Sequence, residues 1–243
     1  MLNKNKLKAI GSVLLMAVSI FLMKESPRYG SIGDYLLEAV GIAPWTGDYT
    51  GGHLTVIYLG IVLMFSVIFT RIYLVDHYKV KWSSALFYVI VLITLMSQVA
   101  DSVITNIKEH SEGLQSIEYI DEGNVFEYKW RDGELEDFVM VFTLKNYSDE
   151  EQEFSVTIDS RWMRRDNLEP IQLLNKDGSV ATFHLFERQQ KTFVITPYKY
   201  SYSGGDKFEN GGGNSSIQEV ILTSGNQQVK LSYRDFFGQV ITE

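Results

Sequence analysis

WSSALFYVIVLITLMSQVA, residues 82–100, carries no charged side chain over 19 consecutive positions. A helix needs about 20 predominantly apolar residues to cross the hydrocarbon core of a bilayer, so this stretch reads as a membrane span. It divides the chain. Before it lie further apolar runs; after it the sequence is polar, acidic and patterned with a different period.

The charge makes the same division. Residues 1–100 hold eight Lys/Arg and five Asp/Glu, a net of +3, so the chain's −8 leaves −11 on residues 101–243. The whole-chain average of 45% hydrophobic and 21% charged resembles a soluble protein only because it blends these halves. An asymmetry of this size marks two environments. The acidic half is unsuited to nucleic acid, whose phosphates call for Lys and Arg, and an anionic membrane surface repels it. The chain has no cysteine, which excludes disulfides, thiolate metal sites and a cysteine nucleophile.

Working back from residue 82, two more spans are expected, at about 8–23 and 54–72. MLNKNKLK followed by Ala9–Met23 has the form of a signal peptide, but Met23-Lys24-Glu25-Ser26 offers no small-x-small cleavage site. A signal anchor is the expectation, with Lys8 and Lys24 reaching the interfaces. Between the first two spans, SIGDYLLEAVGI puts Ile32, Tyr35, Leu36, Ala39 and Val40 at helical spacing. That predicts a short helix at about 31–40, at the interface or packed on the bundle, stopped by Gly41 and Pro44. Trp45 and Tyr49 suit the headgroup level. The loop reads as a lid or docking element, or as a segment that merely anchors the connection.

Lys4, Lys6 and Lys8 precede the first span, and Arg71, Lys79 and Lys81 lie between the second and third. Both groups belong in the cytoplasm by the positive-inside rule, which puts the 24–53 loop and all that follows the third span outside. Asp101 falls one residue beyond the charge-free run, at the wet boundary. None of the three spans contains a charge of the kind pumps and channels use. Val99, Val103, Ile104 and Ile107 carry the helical spacing on to about Lys108, and Gly113 is a plausible stop.

From 114 to 243 the period becomes two. Asp121–Asn124 reads as a hairpin connection between strands, and Arg131-Asp-Gly-Glu134 as a second turn. In DFVMVFTLKNYSDEEQEFSVTID, Phe138, Met140, Phe142 and Leu144 alternate on one strand. Phe154, Val156 and Ile158 alternate on the returning one, beyond a polar turn at 146–151. Further pairs are expected at 182–186 with 192–195, and at 217–223 with 228–233. Strands with one apolar face need a second sheet to cover it. The fold class is therefore a three-helix membrane bundle (residues 1–113) followed by an all-β antiparallel sandwich (114–243). In its strand-turn-strand with the polar KNYSDEE loop, this half resembles the Ig-like modules common on bacterial surface proteins, although it lacks the paired cysteines of antibody-type domains.

Two stretches could bind a partner. YKYSYSGGDKFENGGGNSS, residues 198–216, is an exposed-looking loop whose Tyr198, Tyr200, Tyr202 and Phe208 stand among glycines and serines, the chemistry of adaptable binding loops. It reads equally as a solvent-facing tip. Arg161, Trp162, Arg164 and Arg165 form a basic-aromatic cluster that could take an anion or a partner's acids, or pair with Asp149, Glu150, Glu151 and Glu153. No catalytic residue, metal ligand or cofactor motif is found: there is no H-E-x-x-H, G-x-S-x-G or phosphate loop. The expectation is a multi-pass cell-membrane protein, its N-terminus cytoplasmic and its sandwich outside. It would act in a bacterial envelope, contacting lipid and a membrane or envelope protein, without nucleic acid and without catalysis. An envelope sensor and a glycan-acting enzyme are the alternative readings.

Overall fold

A computed structural model describes residues 4–26, 28–47, 51–132, 134–159, 163, 169–204, 210–232 and 235–241. The chain forms two compact units, Met1–Ile104 and Thr105–Glu243.

The first unit contains α1 (Lys4–Met23), a two-strand ribbon of β1 (Glu25–Ser26) and β2 (Gly30–Ser31), the short α2 (Ile32–Ala39), α3 (Leu54–Thr70) and most of α4 (Trp82–Glu109). Three helical stretches, Lys4–Met23, Leu54–Asp76 and Trp82–Glu109, are long and apolar enough to cross a membrane. At 1.5 Å per residue the shortest of these, with 20 residues, extends about 30 Å. A small core gathers Val13, Met16, Ala17 and Val89, with Leu63 and Leu92 packed around it. The serines in these apolar helices bond their own backbone: Ser12 Oγ donates to Ala9 O, Ser19 Oγ to Leu15 O and Ser66 Oγ to Leu63 O. This satisfies each hydroxyl without a partner helix. Many large apolar side chains point the other way; Leu14, Ile61, Met64, Phe87, Ile90 and Leu95 are all exposed.

The second and third long helices are closer in sequence than expected. A loop was anticipated from Arg71 to Lys81, but a π-helical turn at Arg71–Asp76 prolongs α3 and the chain remains helical through Tyr78. Ile72, Leu74 and Val75 continue the apolar run, so nothing in the side chains ends the helix there. The reversal falls at Lys79, which takes a left-handed φ of 56°.

The second unit is entirely antiparallel. Its strands are β3 (Ile117–Arg131), β4 (Glu134–Asn146), β5 (Gln152–Ile158), β6 (Ile171–Asn175), β7 (Phe183–Leu185), β8 (Gln190–Ile195), β9 (Tyr200–Ser203), β10 (Asn210–Ser215), β11 (Glu219–Ser224), β12 (Gln227–Ser232) and β13 (Asp235–Val240). One sheet has the order β10-β3-β4-β8. The other runs β13-β12-β11-β5-β6-β9, with β7 attached to β5. One apolar core draws on both sheets, from Phe126, Phe142 and Phe193 to Val156, Leu173 and Leu222. The alternation read from the sequence is present: Phe138, Met140, Phe142 and Leu144 are buried on β4, and Phe154, Val156 and Ile158 on β5.

Pairing differs from expectation in three places. Asp121–Asn124 is not a hairpin turn but an excursion within β3, whose two halves both pair with β4; between Ile120↔Thr143 and Val125↔Val141, β3 advances five residues and β4 two. Asn124 makes this possible. Its Nδ2 donates to Ile120 O at 2.6 Å and its Oδ1 accepts from Thr143 N at 3.1 Å, so the bulge stays within the ladder. Second, β4 and β5 do not pair. The chain changes sheets at the buried Asn146, which donates to Glu150 O (2.7 Å) and Phe186 O (3.1 Å) and accepts from Ser148 N (2.9 Å) and Ser116 Oγ (3.1 Å). Third, β7 and β8 likewise go to different sheets, β7 to β5 and β8 to β4. Local hairpins do form across Asp132, which has φ of 52°, and across Gly225 between β11 and β12.

Candidate functional site

The 198–216 stretch is more ordered than a loop. β9 and β10 occupy much of it and sit in different sheets. β10 reads as loop in sequence because its Asn-Gly-Gly-Gly-Asn-Ser has no apolar side chains to alternate. It nevertheless pairs by backbone with β3 from Asn210↔Arg131 to Ser215↔Phe126. Close approach explains two of the three glycines: a Cβ on Gly213 would stand 3.1 Å from Tyr128 Oη, and one on Gly212 3.0 Å from Tyr128 O.

This separates the three tyrosines. Tyr198 is 93% exposed, on a turn where Lys199 N and Tyr200 N both donate to Thr196 O. Tyr200 is half-buried and stacks on Phe183 at 5.6 Å. Tyr202 lies edge-on to Trp130 and Phe138, and its Oη accepts the backbone N–H of Leu135. Tyr200 and Tyr202 project from one side of β9 onto the core, while Ser201 on the other side donates to Asn175 O. Tyr198 is therefore the tyrosine with its ring open to a partner. Phe208 and the cluster of Arg161, Trp162, Arg164 and Arg165 lie outside the described residues. Two acids that could have paired with that cluster have other partners: Asp149 accepts from Arg188 Nε at 2.7 Å, and Glu151 lies 2.9 Å from His184 Nδ1. Hydrogen bonding and charge from Arg188 hold the Asp149 carboxyl below its usual range.

A second cluster, in the first unit, was not anticipated. Asp34 of α2, Trp45 and His53 converge from the connection between α1 and α3. Trp45 Nε1 donates to Asp34 Oδ2 at 2.9 Å, and His53 Nε2 lies 2.7 Å from Asp34 Oδ1. The Trp45 and His53 rings stack at 4.0 Å, and His53 Nδ1 is 3.7 Å from Glu25 of β1. The backbone reinforces the arrangement. Trp45 and His53 form an antiparallel bridge, and Pro44 O accepts from Leu54 N (2.7 Å) and Thr55 N (3.2 Å), two of the donors a helix N-terminus leaves free. Burial by itself would raise the Asp34 carboxyl. Hydrogen bonds led by that with His53, and including that from Trp45, outweigh it and hold the group below its usual range.

Chemically this is a clasp. It ties β1, α2 and the start of α3 together through the hydrogen-bonded Asp34–His53 pair. Among the described residues no three His, Asp or Glu side chains converge to hold a metal ion. Sequence reading passed over His53 because partners 8 and 19 residues away follow no helix or strand period. The one available signal was that Asp34 falls off the apolar stripe of its helix.

No protein-family model matches the chain, and no curated protein matches it significantly in sequence.

Proposed function

We propose that the chain is a multi-pass membrane protein that displays its β-unit, an Ig-like antiparallel sandwich, outside the cytoplasm. There the unit serves as an interaction or accessory module for a membrane or envelope protein, without catalysing a reaction. The carrying observation is the apolar exterior of the long helices, where Leu14, Ile61, Met64, Phe87, Ile90 and Leu95 among others face outward. In water such a surface would aggregate; in a bilayer it is the solvated one. The lysines before α1 and between α3 and α4 support the orientation. Tyr198, open beside an ordered sheet, supports a protein-contact role.

The absence of cysteine allows a direct test. Tyr198→Cys and Lys79→Cys are each placed in the full chain, and intact cells are treated with a membrane-impermeant maleimide. Labelling of the 198 variant alone is the expected result. Labelling of the 79 variant alone overturns the orientation, and equal labelling of both in intact cells overturns the membrane reading.

A further inference from the structure

α2 is amphipathic, and the side that carries Gly33 and Asp34 faces the protein, whereas Glu38 is exposed. Asp34 is held by Trp45 and His53, and Ser31 Oγ, just ahead of the helix, donates to Leu22 O at 2.8 Å. Gly33 allows the approach: a Cβ there would lie 2.5 Å from Leu22 O and 2.8 Å from Thr55 Cγ2. Its apolar side faces away. Leu36 is 53% exposed and Val40 69%, and Ala39 between them is exposed as well. The stripe is extended by the helix stop. Gly41, at φ of 78°, donates to Glu38 O, and Ile42 N donates to Leu37 O, a Schellman closure that fixes the exposed Ile42 beside Val40.

The placement of α2 indicates what covers this stripe. One side of the helix is fastened to Leu22, one residue from the end of α1, and the other to His53, at the start of α3. It therefore sits level with the ends of two helices long enough to span a bilayer. Three or four apolar side chains fall far short of the roughly 800 Å² per partner that a stable protein interface buries. Insertion at the boundary between headgroups and acyl chains has no such threshold.

We propose that α2 lies flat in the bilayer interface, with Leu36, Val40 and Ile42 seated among the upper acyl chains and the Asp34–His53–Trp45 clasp holding it in that plane. The inference rests on the membrane reading of the long helices, and the test separates the two. The full chain is reconstituted in phosphatidylcholine vesicles with an environment-sensitive fluorophore on Val40→Cys. Leu36→Cys serves as a second probe in case the first variant folds poorly. Ile90→Cys and Tyr198→Cys are the span and water controls. The proposal expects the label at 40 or 36 to lose emission to a spin-labelled lipid with its nitroxide near the headgroup, and to resist aqueous iodide. Iodide quenching at both positions like that at 198, with 90 protected, overturns the interfacial helix and leaves the spans standing. Iodide quenching at 90 overturns the membrane reading itself. Protection of 40 and 36 from both quenchers assigns the stripe to a protein surface, such as a second copy, and overturns the proposal.

Discussion

Lys108 Nζ donates to the carbonyl of Ile117 at 2.7 Å, although Lys108 lies on the last turn of the long helix α4 and is completely buried. The same ammonium reaches Gln115 O at 2.7 Å and Phe237 O at 3.4 Å, and it stands 5.2 Å from the Phe236 ring. A charge this far from water is tolerated only when its donors are satisfied. Here the turn ahead of β3, the start of β3 and β13 all accept from one side chain at the end of α4. Lys108→Met keeps the volume and removes the donors, leaving three carbonyls short of a partner. The expected cost to the second unit is about 2–4 kcal/mol. Hydrogen exchange of β3 and β12 in the detergent-solubilised full chain checks it; unchanged protection would show that the lysine is incidental.

Asn146 fixes the crossover between sheets. Both the donor and the acceptor of its amide are used, and no other side chain type offers both groups at that length. Asn146→Ala leaves the carbonyls of Glu150 and Phe186 and the hydroxyl of Ser116 to find other partners. Destabilisation of about 2–4 kcal/mol is expected, measured as a drop in the denaturant midpoint.

The two kinds of tyrosine should respond differently. Tyr202→Phe removes the acceptor for Leu135 N and should cost about 1–2 kcal/mol. Tyr198→Ala touches nothing buried and should stay within about 0.5 kcal/mol of the parent. If the β-unit recruits an envelope protein through this side, co-purification of that partner falls in the Tyr198 variant while thermal unfolding is unchanged.

The clasp gives a pH signature. A carboxyl whose folded pKa lies below its unfolded value stabilises the folded state fully above the unfolded pKa, near 4, and loses that stabilisation as pH falls further. Amide exchange at Leu54 and Thr55, corrected for intrinsic rates, should be level at neutral pH and rise below about pH 4. Asp34→Asn should remove that dependence and weaken the clasp by about 1–3 kcal/mol above about pH 4, the difference from the parent shrinking as pH falls further.

The features legible in the sequence were those with a period or a run. A run of 19 uncharged residues, the stripe of α2 and the alternation on β4 and β5 each report local backbone geometry, and a helix or strand lies at each. The helical spacing past residue 100 was also sound, since α4 runs to Glu109. Interactions set by single polar side chains were not legible. Asn124 turns an apparent hairpin into a bulge, Asn146 sends a returning strand to another sheet, and Asp34 finds His53 across 19 residues. None of these pairings repeats along the chain, so no period announces them. A glycine strand such as β10 is hidden for a related reason, because backbone hydrogen bonds hold it and the sequence records only side chains. Hydrophobic patterning thus determined the long apolar helices and the strands with an apolar face. Strand order, the change of sheets and the clasp at α2 were decided by the tertiary structure, where buried polar groups must find partners that only the folded chain brings within reach.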